Sequence, residues 1–421
     1  MRALTLFAGV ALLSCLSCSS NKDPHDVYPA PHPLLPGLVY GGGRVLTTPS
    51  QLTVTFQGTD AGVVSYLSSF GEGILTSSWW TTVMDGYGVG PGTARTAVTL
   101  PDTFSGVTVG DPELQTYIQN QLSSGALPYY DDSTAYVLYM PRAATIEVDG
   151  NVSCVGFGGY HSSFDATVNG ATEHVLYAVI AECSSDGTPA NVESGATVCA
   201  SHELAEIATD PDVGSSTPDA PFGYQMIGND AWAGDGTEIA DLCADLPPVT
   251  QGSWQVQRIW NANAAIANHA PCQPDTQTFF GAAIHTDPGV SAFVALDASV
   301  DASLDEDAAA PSAEGYIVVP SGTTRSIDID LFSAAALPGT LQVFAGTTPV
   351  AGQIIDNPTA VAPIDPGVDL ALSPDSGTNG DTIHMTITVA PTVSSLVRRF
   401  TVRAVLSPTR WYLWKAVLYV P

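Results

Sequence analysis

The sequence predicts an α+β domain followed by an all-β, sandwich-like domain, and three observations carry that expectation. Apolar residues recur at helical spacing up to about residue 275 and lose that period beyond it. Short alternating segments separated by turn residues then take over. Within the first part, Val198-Cys199-Ala200-Ser201-His202-Glu203-Leu204-Ala205-Glu206-Ile207-Ala208-Thr209-Asp210-Pro211 reads as a helix stopped at a proline, because the residue before Pro is pushed out of the α region.

His202, Glu203 and Glu206 in that helix form H-E-x-x-E. Positions i and i+4 lie one turn apart on one face, so His202 and Glu206 can reach the same metal ion. Glu203 sits to the side, where it can hold a water. This is the spacing of H-E-x-x-H zinc hydrolases, with the second His replaced by a carboxylate that zinc also accepts. The plainer alternative is an amphipathic helix with a polar face and Val198, Leu204, Ala205, Ile207 and Ala208 as core.

The chain opens Met1-Arg2, followed by an apolar run from Ala3 to Leu13 and then Ser14-Cys15-Leu16-Ser17-Cys18. One early positive charge, a short apolar stretch and small residues predict a secretory signal over residues 1–18, too short to span a membrane. A cysteine after a small residue matches a bacterial lipoprotein signal, in which that cysteine is acylated. Cys15, with Leu12 three residues before it, is the better match and Cys18 the alternative. Export is therefore expected, as a cell-surface or outer-membrane lipoprotein or in secreted form, with membrane contact only through an N-terminal lipid. Polar, Pro-rich residues 19–36 suit a tether. The 42 acidic residues against 12 basic ones give a net charge of −30, which repels nucleic acid and anionic lipid and excludes both as partners.

Structure is expected from about Leu38. Leu52 to Phe56 alternates as a strand, and Val63, Val64, Leu67, Phe70 and Ile74 follow at helical spacing. Tyr87-Gly88-Val89-Gly90-Pro91-Gly92 lacks the lysine of a phosphate loop and reads as a turn. Asp111 as N-cap and Pro112 at N1 open a second helix with Leu114, Ile118 and Leu122 on one face. Tyr136 to Met140 and His174 to Ile180 read as strands. His161 sits in a glycine-rich bend, where backbone can approach a ligand closely.

In an exported chain, Cys154, Cys183, Cys199, Cys243 and Cys272 read as two disulfides with one cysteine left over. Spacing does not fix the connectivity; Cys154–Cys183 and Cys243–Cys272 is the expected pairing, with Cys199 a small core residue. A zinc site needs a third ligand from outside its helix, and Glu238 and Asp241 are the candidates. A linker and acidic loop is expected over 276–312, its Asp/Ala-rich part lacking the Gly and terminal Glu of a calcium loop. The sandwich-like domain follows over 313–421.

Several of these stretches belong together: Ser78-Trp79-Trp80, the Tyr87–Gly92 turn, Gly158-Gly159-Tyr160-His161-Ser162-Ser163, Ser201 to Glu206 with Thr209-Asp210-Pro211, Glu238-Ile239-Ala240-Asp241-Leu242-Cys243, and Trp260-Asn261 through Cys272. In that order they resemble exported bacterial proteins related to the plant phosphate-induced (EXORDIUM) proteins. The resemblance covers about residues 37–275 and leaves out the β-rich tail. It implies that 37–275 is a zincin-like extracellular domain, so the whole chain is expected to be α+β zincin-like and then all-β. Plant members are associated with cell-wall growth responses, so the resemblance implies a domain and a compartment more than a reaction.

Two function classes follow. In the first, a zinc-dependent hydrolase, with peptidase the expected type, acts on an extracellular peptide, protein or cell-wall substrate. His202 and Glu206 hold Zn²⁺, Glu238 or Asp241 completes the ligand set, Glu203 is the general base, and His161 or Tyr160 stabilises the oxyanion. In the second, a non-catalytic surface module binds glycan or protein. Its carboxylates hold a structural Ca²⁺ or only hydrogen-bond nearby loops, and Trp79, Trp80 and Trp232 offer stacking surfaces.

Overall fold

The computed structural model describes residues 23–35, 37–104, 106–148, 150–183, 188–213, 221–226, 238–285, 316–347 and 355–421. The signal and acylation readings, the Asp/Ala-rich stretch 296–311 and Trp232 lie outside the described residues. No helix among the described residues is long and apolar enough to cross a membrane.

In the first part β1 (Ser50–Phe56), α1 (Ala61–Gly73), α2 (Ser78–Val83), β2 (Val98–Leu100), α3 (Asp111–Ser124), β3 (Thr134–Tyr139), β4 (Gly159–Val168), β5 (Ala171–Ile180) and α4 (Pro189–Thr209) follow one another. Strands β1, β3 and β5 run parallel, and β2 pairs in parallel with β1. Strand β4 returns antiparallel to β5 and is the last strand on that side.

The inner strands are apolar almost throughout because helices cover both faces. Side chains alternate, so Tyr136 and Leu138 meet Leu114, Ile118 and Leu122 of α3 on one side. Val137 and Tyr139 face the other way, toward Val63, Leu67 and Phe70 of α1 and Ala200, Leu204 and Ala208 of α4. Alanines on α4 let that helix lie close to the sheet.

Asp60 caps α1, its carboxylate accepting the Gly62 and Val63 N–H groups. The cap expected at Asp111 is not made: Gly110 is the N-cap and α3 starts at Asp111. The Asp111 carboxylate instead accepts the hydroxyls of Tyr160 and Tyr177, at 2.7 and 2.5 Å. Two phenol donors from the sheet hold it away from the backbone N–H groups it would otherwise cap. Helix α4 begins nine residues before Val198, with Pro189 in its first turn, and ends at Asp210 ahead of Pro211.

The second part contains β6 (Phe280–Ile284), β7 (Tyr316–Val318), β8 (Thr324–Ser333), β9 (Leu341–Gly346), β10 (Val368–Ser373), β11 (Ser376–Gly377), β12 (Thr382–Val389), β13 (Leu396–Ser407) and β14 (Arg410–Val420). They form two sheets, ordered β6-β8-β12-β10 and β7-β14-β13-β9-β11, that share one apolar core. Two expected boundaries move. Residues 280–284, expected as linker, form β6 and pair with β8; all five are buried, so they lack the alternation that marks a strand in sequence. Part of the expected tether is docked on the second part. Asn379 Oδ1 accepts the Ala30 N–H at 3.1 Å, its Nδ2 donates to Val27 O at 2.8 Å, and His32 stacks on Phe332.

Candidate metal centre

Helix α4 turns His202, Glu203 and Glu206 into the interior rather than toward solvent, and the two glutamates are 4% and 3% exposed. A solvated polar face, the plainer reading of this helix, is therefore not what forms. Both faces are buried, and the carboxylates need partners.

Those partners come from two other segments. His161 lies on β4, in a regular edge strand and not in the expected bend. Its glycine neighbours make room for α4: a Cβ on Gly158 would stand 2.8 Å from Cys199 Sγ, and one on Gly159 3.0 Å from Glu203 Oε1. The third segment runs from Glu238 into a 3₁₀ turn, Asp241–Cys243. It is stapled by Cys243–Cys272, and the loop before β4 is stapled by Cys154–Cys183, with S–S distances of 2.04 and 2.12 Å. Cys199 remains a free, half-buried thiol.

Six ligand-type side chains meet. His202 Nε2 lies 3.1 Å from Glu206 Oε2 and 3.4 Å from Asp241 Oδ1. His161 Nδ1 lies 3.2 Å from Glu203 Oε2 and 3.5 Å from Glu206 Oε2, while its Nε2 is 3.7 Å from Glu238 Oε2. One atom from each of His161, Glu206 and Glu238 falls within 4.8 Å of the other two, and the same holds for His202, Glu203 and Glu206. His161 Nε2 and Glu238 Oε1 are buried and make no hydrogen bond. Orphaned atoms of this kind in a polar cluster fit a cation.

Sequence reasoning missed Gln257. Its Oε1 accepts from His202 Nδ1 at 3.0 Å, so that in the neutral ring Nε2 is the bare nitrogen, turned toward the carboxylates. Gln257 is itself fixed: its Nε2 donates to Ala240 O at 2.7 Å, its N–H to Ser201 Oγ at 2.9 Å, and its carbonyl accepts Trp79 Nε1–H at 2.9 Å. A lone glutamine in a short alternating segment carries no signal that would have singled it out. The Ala240 N–H, donated to Glu206 Oε1 at 3.2 Å, ties the third segment to the helix.

The electrostatics follow from this crowding. Burial pushes the His161 imidazolium toward losing its proton, but Glu238, Glu203 and Glu206 outweigh it and hold its pKa well above the usual value. His202 behaves the same way, burial being overcome by Glu206, Glu203 and Asp241. Burial alone would raise Glu206, yet the two histidines bring it down to about 2. Burial and the Glu206 charge push Asp241 up to about 6, and burial carries Glu238 well above the carboxylate range. Without a cation the cluster stores protons, and a cation would displace them.

Two expected roles are corrected. Tyr160 neighbours His161 on a strand and therefore faces the other side of the sheet, where its hydroxyl donates to Asp111. It takes no part in the cluster. His161 turns both ring nitrogens toward carboxylates inside the cluster, so neither is left to face a developing oxyanion. Asp210 closes α4, its carboxylate accepting the Gly223 N–H at 2.9 Å and Gln225 Nε2–H at 2.8 Å. Trp79 and Trp80 are each 1% exposed and offer no stacking surface. No family model matches the chain, and no curated protein is similar to it.

Proposed function

We propose that this protein is an exported zinc-dependent hydrolase, with peptides as its substrate class. The observation that carries the reading is the convergence of two histidines and four carboxylates from three segments, with buried ligand atoms left unpartnered. Imidazole nitrogens beside carboxylates favour zinc over calcium, which takes oxygen donors.

His202 Nε2 and Glu206 would hold the ion, completed by Asp241 or Glu238. Bound zinc supplies Lewis-acid chemistry, acidifying water and polarising a carbonyl. Gln257 keeps His202 in the tautomer that ligates. Glu203 is fixed through Oε2 by His161, while its Oε1 borders the space that Gly159 leaves without a Cβ. From there it takes a proton from the attacking water and returns it to the leaving amine. The two export-type disulfides support the compartment.

Replacing Glu203→Gln is expected to leave metal content unchanged and to lower cleavage of a peptide library by about 10²–10⁴-fold, the usual contribution of a positioned base. Wild-type cleavage by that variant would contradict the role.

A further inference from the structure

We infer that the cluster holds two divalent cations with Glu206 as the ligand they share, an extension that rests on the metal-site reading above. Ligand-type atoms gather in two groups, His161–Glu206–Glu238 and His202–Glu203–Glu206, and neither group contains both histidines. The two rings therefore face different parts of the cluster.

The two histidines are prepared in the same way. Gln257 Oε1 ties off Nδ1 of His202 at 3.0 Å, and Glu203 Oε2 ties off Nδ1 of His161 at 3.2 Å. Each ring then turns Nε2 toward a different carboxylate of the third segment, His202 to Asp241 at 3.4 Å and His161 to Glu238 at 3.7 Å. A second-nitrogen bond of this kind is how ligating histidines are oriented. His161 Nε2 makes no hydrogen bond although its side chain is only 3% exposed, and Glu238 Oε1 is equally unpartnered. Glu206 is central, with Oε2 3.1 Å from His202 Nε2 and 3.5 Å from His161 Nδ1.

Charge points the same way. With neutral imidazoles and every proton displaced, the four carboxylates carry four negative charges, and one divalent cation leaves two of them to be met by retained protons. Two cations balance them, and paired ions in hydrolytic sites stand about 3.5–4 Å apart.

The test is native mass spectrometry of the full chain loaded with Zn²⁺ and desalted, with electron paramagnetic resonance of the Mn²⁺-loaded protein beside it. Two zinc ions and an exchange-coupled manganese pair are expected in the wild type. Glu238→Gln should retain one zinc and give the spectrum of an isolated Mn²⁺, and Glu206→Gln should lose both ions. One zinc in the wild type overturns the two-ion inference, whatever the variants do, and leaves the hydrolase reading standing. No zinc overturns both. The wild-type stoichiometry decides the matter even where a variant fails to fold.

Discussion

Gln257 is the residue outside the six-membered cluster on which the proposed metal centre most depends. It accepts from His202 Nδ1 while its own donors are committed to Ala240 O and, more weakly, Arg258 O. Gln257→Ala frees the ring to rotate and to take the wrong tautomer, so metal affinity should fall by about 10–100-fold with the fold retained. Competition against a chelator measures it, and an unchanged affinity would contradict the assignment. At this scale the sequence was readable where spacing does the work. H-E-x-x-E places three groups on one helix turn whatever the rest of the chain does. Glu238, Asp241 and His161 could be nominated, but strand register was not visible, and Tyr160 was grouped with His161 although neighbours on a strand face opposite ways. Gln257 had no pattern to betray it.

Among the elements, α4 must be held against β4 and β5 for the site to exist. Asp212, just beyond the helix, makes that attachment: Arg44 Nη2 reaches it at 2.7 Å and His174 Nε2 at 3.2 Å, while His174 Nδ1 meets Asp165 of β4 at 2.9 Å. Burial would raise Asp212, but His174 and Arg44 bring its pKa down to about 2. Asp212, against some burial, raises that of His174. A depressed carboxylate contributes stability above its unfolded pKa near 4 and loses it as pH falls toward 2. A raised histidine contributes below its unfolded pKa near 6.5 and loses that stability as pH climbs through the folded value. The two overlap between about pH 4 and 6.5. Asp212→Asn should therefore lower Tm most in that window and less on either side; a pH-independent loss would show that the attachment is not electrostatic. The long apolar periods and the punctuation by Pro112 and Pro211 made the helices and inner strands legible, although the start of α4 at Pro189 was not. Strand β6 was not, because full burial on both faces removes its alternation.

Across the whole molecule, one of the apolar clusters is common to the two parts, and the second part braces the first. Leu242, Leu246, Trp260 and Cys272 pack in the same cluster as Phe280, Phe332 and Tyr412. Lys415 Nζ lies 3.0 Å from Asp245 Oδ2, the Ile355 N–H donates to Asp245 O at 3.0 Å, and the Tyr412 hydroxyl donates to Asp275. The segment carrying Glu238 and Asp241 is thus held from the sandwich side, four residues from Asp241. A change of composition near residue 275 suggested two separable units, since composition reports local pattern and not what a surface packs against. Asp245→Ala removes the carboxylate that buried Lys415 faces and should destabilise the full chain by about 1–3 kcal/mol, below the 3–5 kcal/mol of a fully enclosed pair because Asp245 stays partly in water. Thermal unfolding of the variant checks this, and an unchanged Tm would mean that the bracing is apolar alone.

The proposed hydrolase requires a bound metal ion. Elemental analysis of the purified full chain beside its Glu206→Gln variant tests it most directly, because Glu206 contacts both histidines. Stoichiometric zinc in the wild type and its loss from the variant is the predicted result. A wild-type protein free of divalent metal after exposure to zinc would contradict the account and leave the six side chains as a buried proton-sharing network.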